Sequence, residues 1–250
     1  MSRFDRAIGL ARSLAVYHLV PRRHGTLRAL YAQFVGHGDL VFDVGAHVGN
    51  RTRALLALGC EVVAVEPQPA VAATLRRVVG AHPCAHIVTA AVAATVGVAR
   101  FAVSERNPTV STLADDWREA RQQEPGFAGV EWNAVVDVET TTLDALIAAH
   151  GRPVFIKLDI EGGETAALAG LTHPIRTVSF EFLPQALDAV RACGARLNAL
   201  GAYRYNWTPA ESHRLASPRW VTLDELLTGL SGEAQHGDVY ARVDAATADV

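Results

Sequence analysis

Val41-Phe42-Asp43-Val44-Gly45-Ala46-His47-Val48-Gly49-Asn50 is an apolar run that passes through a two-glycine turn into the start of a helical pattern. A buried strand that feeds a helix through glycines is a nucleotide-type turn, the opening unit of a parallel sheet covered by helices. Gly45 lets the chain bend sharply, and Gly49 lets backbone approach a ligand closely. The helix beginning at Asn50 offers amide hydrogens that have no partner within the helix, and Asn50 or Thr52 can cap it.

The same alternation continues outward from this stretch. Residues 61–65 read as a strand, 69–79 as a helix, 86–89 as a third strand, and 96–103 as a further strand suited to a sheet edge. The pattern loosens over 107–129, where Pro, Ser, Gly and charged residues surround a short helical piece at 113–121; this fits an insertion or lid. Order returns with a strand over 135–141 and a helix over 143–149. Val154-Phe155-Ile156-Lys157-Leu158 then reads as a central strand, apolar except at one position. A helix at 164–171, a strand at 177–182, an amphipathic helix at 185–200, strands at 203–207 and 238–243, and an intervening helix at 222–230 complete a doubly wound α/β domain whose ending is antiparallel. Residues 1–36 read as an N-terminal helical extension, 37–250 as the domain itself, and 244–250 as a frayed end.

Glu66 ends the second strand about twenty residues after the first glycine, where a carboxylate can accept both hydroxyls of a ribose. A nicotinamide site shares that acid, but its turn normally reads G-x-G-x-x-G because a pyrophosphate lies against the helix start. Here the turn reads G-A-H-V-G and is preceded by Asp43. A carboxylate there suits a phosphate-free cofactor carrying ammonium and sulfonium charges, so electrostatics favours S-adenosylmethionine over a dinucleotide. A second strand, Phe155 to Leu158, ends in Asp159-Ile160-Glu161-Gly162-Gly163-Glu164, again a carboxylate-rich turn that begins a helix. Ligands in doubly wound sheets collect at the carboxyl ends of strands where strand order reverses, so the two turns are expected to face one crevice. Asp159 then lies near the methionine end of the cofactor. Glu161 or Glu164 can take a proton from an acceptor hydroxyl, although Glu164 also suits a purely electrostatic role at its helix start. Glu181, at the end of the following strand, can line the acceptor pocket or bind a loop amide. Asp159, Glu161 and Glu164 could hold magnesium through oxygen, but methyl transfer from a sulfonium needs no metal, and none is expected.

Taken together, D-V-G-A-x-x-G-N, V-E-P, T-L-D at Thr142 to Asp144, and I-K-L-D-I-E-G-G-E resemble the FkbM-type methyltransferases over residues 40–243. Ser179-Phe180-Glu181 and a closing Gly237-Asp238-Val239-Tyr240-Ala241-Arg242 extend the likeness. The resemblance implies a class I, Rossmann-like fold with a mostly parallel seven-stranded sheet, and usually O-methylation of a hydroxyl in a sugar, lipid or secondary metabolite, releasing S-adenosylhomocysteine. It implies cofactor contacts at Asp43, Gly45, Ala46, Gly49, Asn50 and Glu66, and a reaction side at Asp159 and Glu161; by strand-end position, Asp159 also joins the cofactor contacts and Glu181 the catalytic candidates. His47 stands where the family often has Asn. Two other classes remain open from the residues alone: a non-catalytic cofactor-binding partner, and a nicotinamide oxidoreductase.

Composition narrows the partners. Of 250 residues, 50% are hydrophobic and 20% charged, and the formal net charge of -3 gives no general attraction to phosphate backbones, so nucleic acid is not expected. Cys60, Cys84 and Cys193 are too scattered for a disulfide framework or a zinc site and read as reduced, packed thiols. The first two dozen residues set Phe4, Ile8, Leu10, Leu14, Val16, Leu19 and Val20 among arginines. Asp5 and Arg12 argue against an export signal, and no run is long enough to span a membrane. A cytoplasmic enzyme is expected, with this basic amphipathic segment capping the domain or its cleft, or making peripheral contact with lipid headgroups. Among the scattered histidines, His213 stands out because it falls in an aromatic and basic loop near the end of the sheet.

Overall fold

The computed structural model describes residues 3–18, 23–210 and 212–243. The expected frayed end at 244–250 and the apolar positions Leu19 and Val20 lie outside them. In chain order the elements are α1 (Arg3–His18), α2 (Arg23–Tyr31), β1 (Leu40–Val44), α3 (Asn50–Leu56), β2 (Glu61–Val65), α4 (Pro69–Val79), β3 (Ala85–Val88), β4 (Ala91–Val92), β5 (Gly97–Val103), α5 (Asp115–Gln122), β6 (Ala134–Thr141), α6 (Leu143–His150), β7 (Phe155–Leu158), α7 (Glu164–Ala169), β8 (Thr177–Phe182), α8 (Leu187–Leu200), β9 (Tyr203–Pro209), α9 (Leu223–Leu230) and β10 (Gly237–Val243).

Seven strands form the main sheet in the order β3-β2-β1-β7-β8-β10-β9. The first five run parallel, and β10 pairs antiparallel with both β8 and β9. β1 and β7 are almost entirely buried because helices cover both sheet faces. Alternate side chains feed two cores. Phe42, Val44, Val63, Ile156, Leu158 and Val239 pack against α6 to α9, while Val41, Val62, Ala64, Phe155 and Tyr240 pack against α2 to α4. The chain winds outward from β1 through β2 to β3, then returns to β7 on the other side of β1. Strand order therefore reverses between β1 and β7, which opens a crevice at their carboxyl ends.

The strand at 96–103 does take an edge position, but in a second sheet rather than in this one. β5 pairs antiparallel with β6, and β6 pairs with β4, in a separate three-stranded sheet. Its side chains agree: β6 alternates more buried and more exposed positions, as a strand with one wet face must, whereas β1 and β7 are buried on both sides. The N-terminal residues are tied to the domain at two places. Leu27, Leu30, Tyr31 and Phe34 join the second core, where the Phe34 ring stacks on Tyr240 at 4.9 Å and on Phe155 at 5.8 Å. α1 lies on the segment after β5, with Asp5 paired to Arg106 at 2.7 Å and Arg12 donating to Asn107 at 3.2 Å. No helix among the described residues is long and apolar enough to cross a membrane.

Candidate functional site

A cleft of about 240 Å³ opens at the reversal point. Gly45 forms its floor with a φ of +80°, and any Cβ there would collide with the Asp159 carbonyl, so the β1 and β7 turns touch backbone to backbone. Ala46, His47, Asn50 and Arg51 line the wall above it. Gly49 also has a left-handed φ of +83°, but its role is packing: a Cβ would lie 2.6 Å from Leu75 Cδ1 of α4. It is not among the lining residues.

On the β2 side, Glu66 is 3% exposed and both its oxygens are anchored, Oε2 by the His47 amide at 3.1 Å and Oε1 by the Gln68 amide at 2.8 Å. Each oxygen keeps a further lone pair for a hydroxyl donor. Burial pushes the Glu66 carboxyl up to about 7 despite those two amides. Beyond it the wall continues with Gln68, Ala91, Phe101, Ser111 and Leu113, an apolar slot with amide and hydroxyl edges. Gln68 is fixed by donating to the Pro108 carbonyl at 3.0 Å.

Asp43 sits beneath the cleft rather than along it. It is 1% exposed, accepts from the Thr52 hydroxyl at 2.5 Å, and its Oδ1 has no hydrogen-bond partner among the described residues. Burial raises its carboxyl above the ordinary range, against the Thr52 hydrogen bond. It shares one sheet face with Lys157, its register partner on β7. Lys157 is fully buried and donates to Asp238 of β10 at 2.7 Å and to the Leu158 carbonyl at 3.0 Å, with Asp159 4.0 Å away. Burial opposes its charge, but Asp159 and Asp238 outweigh burial and raise it above its usual value. Arg51 reaches across from the first turn of α3 to Asp159 at 3.0 Å. Burial works against the Asp159 charge too, yet Lys157 and Arg51 prevail and hold its carboxyl below the ordinary range.

Among the described residues, the remaining acids have no such cations paired to them. Asp159, Glu161 and Glu181 can each bring an oxygen within 4.8 Å of the others, a spacing that could accommodate a cation. Burial, then the neighbouring carboxylates, push Glu161 and Glu181 well above the ordinary range. Glu164, the third member of the sequence triplet, turns instead to its own helix start and accepts from the Ile160 amide at 3.1 Å. The arrangement therefore offers one firmly ionised carboxylate beside two that hold protons readily. Arg51 and Lys157 are committed to Asp159 and Asp238, so the cleft suits a cationic, ribose-bearing ligand and would repel a pyrophosphate.

His213 and His236 line the cleft near Ala210 and Asp238, and Pro108, Thr109, Ser111 and Leu113 bring the 107–129 segment over it. Sequence reasoning missed Arg51, Gln68, Lys157 and Asp238. Two of these carried a signal: Lys157 interrupts an otherwise apolar strand, and Arg51 places positive charge at a helix start, where the dipole disfavours it.

The methyltransferase FkbM domain family matches residues 43–205. Among solved structures, the chain is similar to a TehB-like SAM-dependent methyltransferase from Corynebacterium glutamicum, with 10% identity, coverage of 93% of this chain and 94% of that one, and a TM-score of 0.47. It is also similar to an O-methyltransferase from Bacillus cereus in complex with SAH, with 11% identity, coverage of 96% and 89%, and a TM-score of 0.45. No curated protein matches. The family match spans both glycine turns and most of the main sheet, and the chain belongs to the FkbM methyltransferase family, as a class I enzyme with S-adenosylmethionine as its cofactor.

Proposed function

We propose that the protein is an O-methyltransferase that acts on a hydroxyl of a small molecule such as a sugar, a lipid-linked glycan or a secondary metabolite. The observation that carries this reading is the carboxyl pair Glu161 and Glu181, which lies beside the ionised Asp159 without a paired cation of its own among the described residues. When bound, S-adenosylmethionine supplies a methyl group on a positively charged sulfur that departs as a neutral thioether. Glu66 holds the ribose hydroxyls, and Gly45, Ala46 and Asn50 shape the floor and wall beside it. Gly49 lets the turn pack closely on α4, and Asp43 braces the turn from below through Thr52. Asp159, oriented by Arg51, faces the cationic end of the cofactor. Glu161 or Glu181 acts as base in its ionised form: a nearby positive charge lowers its affinity for its own proton, that proton leaves to solvent, and the freed carboxylate accepts the proton of the acceptor hydroxyl. Alignment of acceptor and donor supplies the rest of the acceleration. Residues 37–250 constitute the catalytic domain, residues 1–36 extend it, and a cytoplasmic location is proposed for the enzyme.

The test is S-adenosylhomocysteine release by purified protein against a panel of glycosides, glycolipids and phenolic and aliphatic alcohols. Release with a member of the panel, lost in Glu161→Gln or Glu181→Gln while cofactor affinity persists, is the expected result. Cofactor binding with no turnover on any panel member would favour the non-catalytic partner. Release that survives both substitutions would remove the carboxyl pair from the reaction.

A further inference from the structure

Glu161 and Gly162 occupy consecutive left-handed positions, with φ of +54° and +91°. For a glutamate that conformation is disfavoured, so neighbouring contacts must stabilise it. Two contacts meet the turn, and both come from the segment between β5 and β6. The Thr112 hydroxyl donates to the Glu161 carbonyl at 2.7 Å while it accepts from the Ala114 amide at 2.8 Å. The Trp117 side chain closes over Gly162, where a Cβ would lie 2.5 Å from its Cγ and 2.6 Å from its Cβ and Cδ1.

Trp117 is itself held. Its ring meets Phe127 edge-on at 5.9 Å and Trp132 at 6.4 Å, and the guanidinium of the buried Arg121 lies 5.7 Å from its centre. Trp132 is in turn fixed through its indole nitrogen, which donates to the Val110 carbonyl at 2.8 Å. The segment thus forms a small aromatic body of its own, joined to the acidic turn at one carbonyl and one glycine.

We propose that Thr112 and Trp117 are positioning residues: they clamp the Glu161-Gly162 turn and so hold the Glu161 carboxyl beside Glu181 and Asp159. The 107–132 segment is then a device that sets the geometry of the reacting carboxyls as well as a cover for the cleft. The functional consequence rests on the reading that Glu161 takes part in the reaction; the clamp itself does not.

The experiment uses the full chain labelled with carboxyl-13C glutamate, with the Glu161 and Glu181 resonances assigned by Glu161→Gln and Glu181→Gln. In Thr112→Val and Trp117→Ala, the Glu161 titration midpoint is expected to fall towards the ordinary glutamate range by about one pH unit or more. Trp117→Phe, which keeps a ring over Gly162, restores most of it. S-adenosylhomocysteine affinity by calorimetry is expected to stay within about threefold, since neither residue lines the ribose side; 1.4 kcal/mol would be tenfold. A midpoint that stays at the wild-type value in Thr112→Val, or in a folded Trp117→Ala, overturns the clamp. If Trp117→Ala does not fold, Thr112→Val decides by the same criterion. A moved midpoint together with unimpaired methyl release by Glu161→Gln would leave the clamp standing and sink the catalytic reading instead.

Discussion

Replacing Glu66 by Gln tests the β2 side of the cleft through pH. Burial raises the Glu66 carboxyl to about 7 from an ordinary 4.5, so the folded chain holds that proton more tightly than the unfolded chain does. The stability contributed by this group is therefore full below about pH 4.5 and is lost as pH rises through about 7. Each pH step between those two midpoints is worth about 1.4 kcal/mol, so the contribution falls by about 2.5 kcal/mol between pH 5 and pH 8. Asp43, Glu161 and Glu181 are raised as well, but they remain in both proteins and cancel in a difference. Urea unfolding of wild type and Glu66→Gln at four pH values between 5 and 8 should therefore yield a stability difference that moves against the wild type by about that amount. Saturating S-adenosylhomocysteine should reverse the trend, because ribose hydroxyls donate best to an ionised carboxylate, so the ligand stabilises wild type more at pH 8 than at pH 5. In Glu66→Gln that dependence should flatten. A wild-type-minus-variant difference that is level across pH would refute both the buried charge and the argument built on it.

Other substitutions probe the supports. Lys157→Met strands Asp238 and should cost about 3–5 kcal/mol in denaturant unfolding, with Lys157→Met/Asp238→Asn recovering a large part. Gly45→Ala forces a Cβ into the Asp159 carbonyl at a left-handed φ, and should abolish S-adenosylhomocysteine binding in calorimetry along with a clear fall in Tm. Gly49→Ala meets a flexible leucine end at 2.6 Å, so it should lower Tm yet leave measurable affinity. Thr52→Val removes the hydrogen bond that favours the ionised Asp43, and should destabilise the protein by about 1–3 kcal/mol in urea unfolding at pH 8, the loss shrinking as pH falls and the carboxyl takes up its proton.

The parts of the site that could be read from residues alone are those in which neighbours in sequence are also neighbours in space. Gly45 and Glu66 sit at strand ends, and a strand's end is visible where an apolar run stops; the parallel register of β1 on β2 then carries both to the same rim. Asp159 follows for the same reason on β7. Pattern alone could not fix which way a side chain leaves its strand. Asp43 precedes the glycine turn, but alternation sends it to the α2 and α3 face beneath the cleft, where Thr52 meets it. Gly49 looked like a point of close ligand approach, and its neighbour proved to be Leu75, a contact made by a helix that begins twenty residues later. The edge placement of 96–103 held, but in a separate sheet, because a strand pattern can mark an edge without naming the sheet it joins.

The acidic side of the candidate site is different in kind. Glu161, Glu181 and Asp238 come from three strand ends and are brought together by β8 and β10 pairing in antiparallel register, Glu181 opposite Asp238. No single segment contains the balance of charge there. Lys157 lies on the strand that ends at Asp159, yet its closest carboxylate is Asp238, and Arg51 arrives from the far side of β1. Whether a carboxyl in that group is an ionised anchor or a proton holder depends on which of the two cations reaches it, and both are spent on the aspartates. The glutamates are left without a paired cation among the described residues, and burial first, then the neighbouring carboxylates, strengthens their hold on a proton, which is the property the proposed base role draws on.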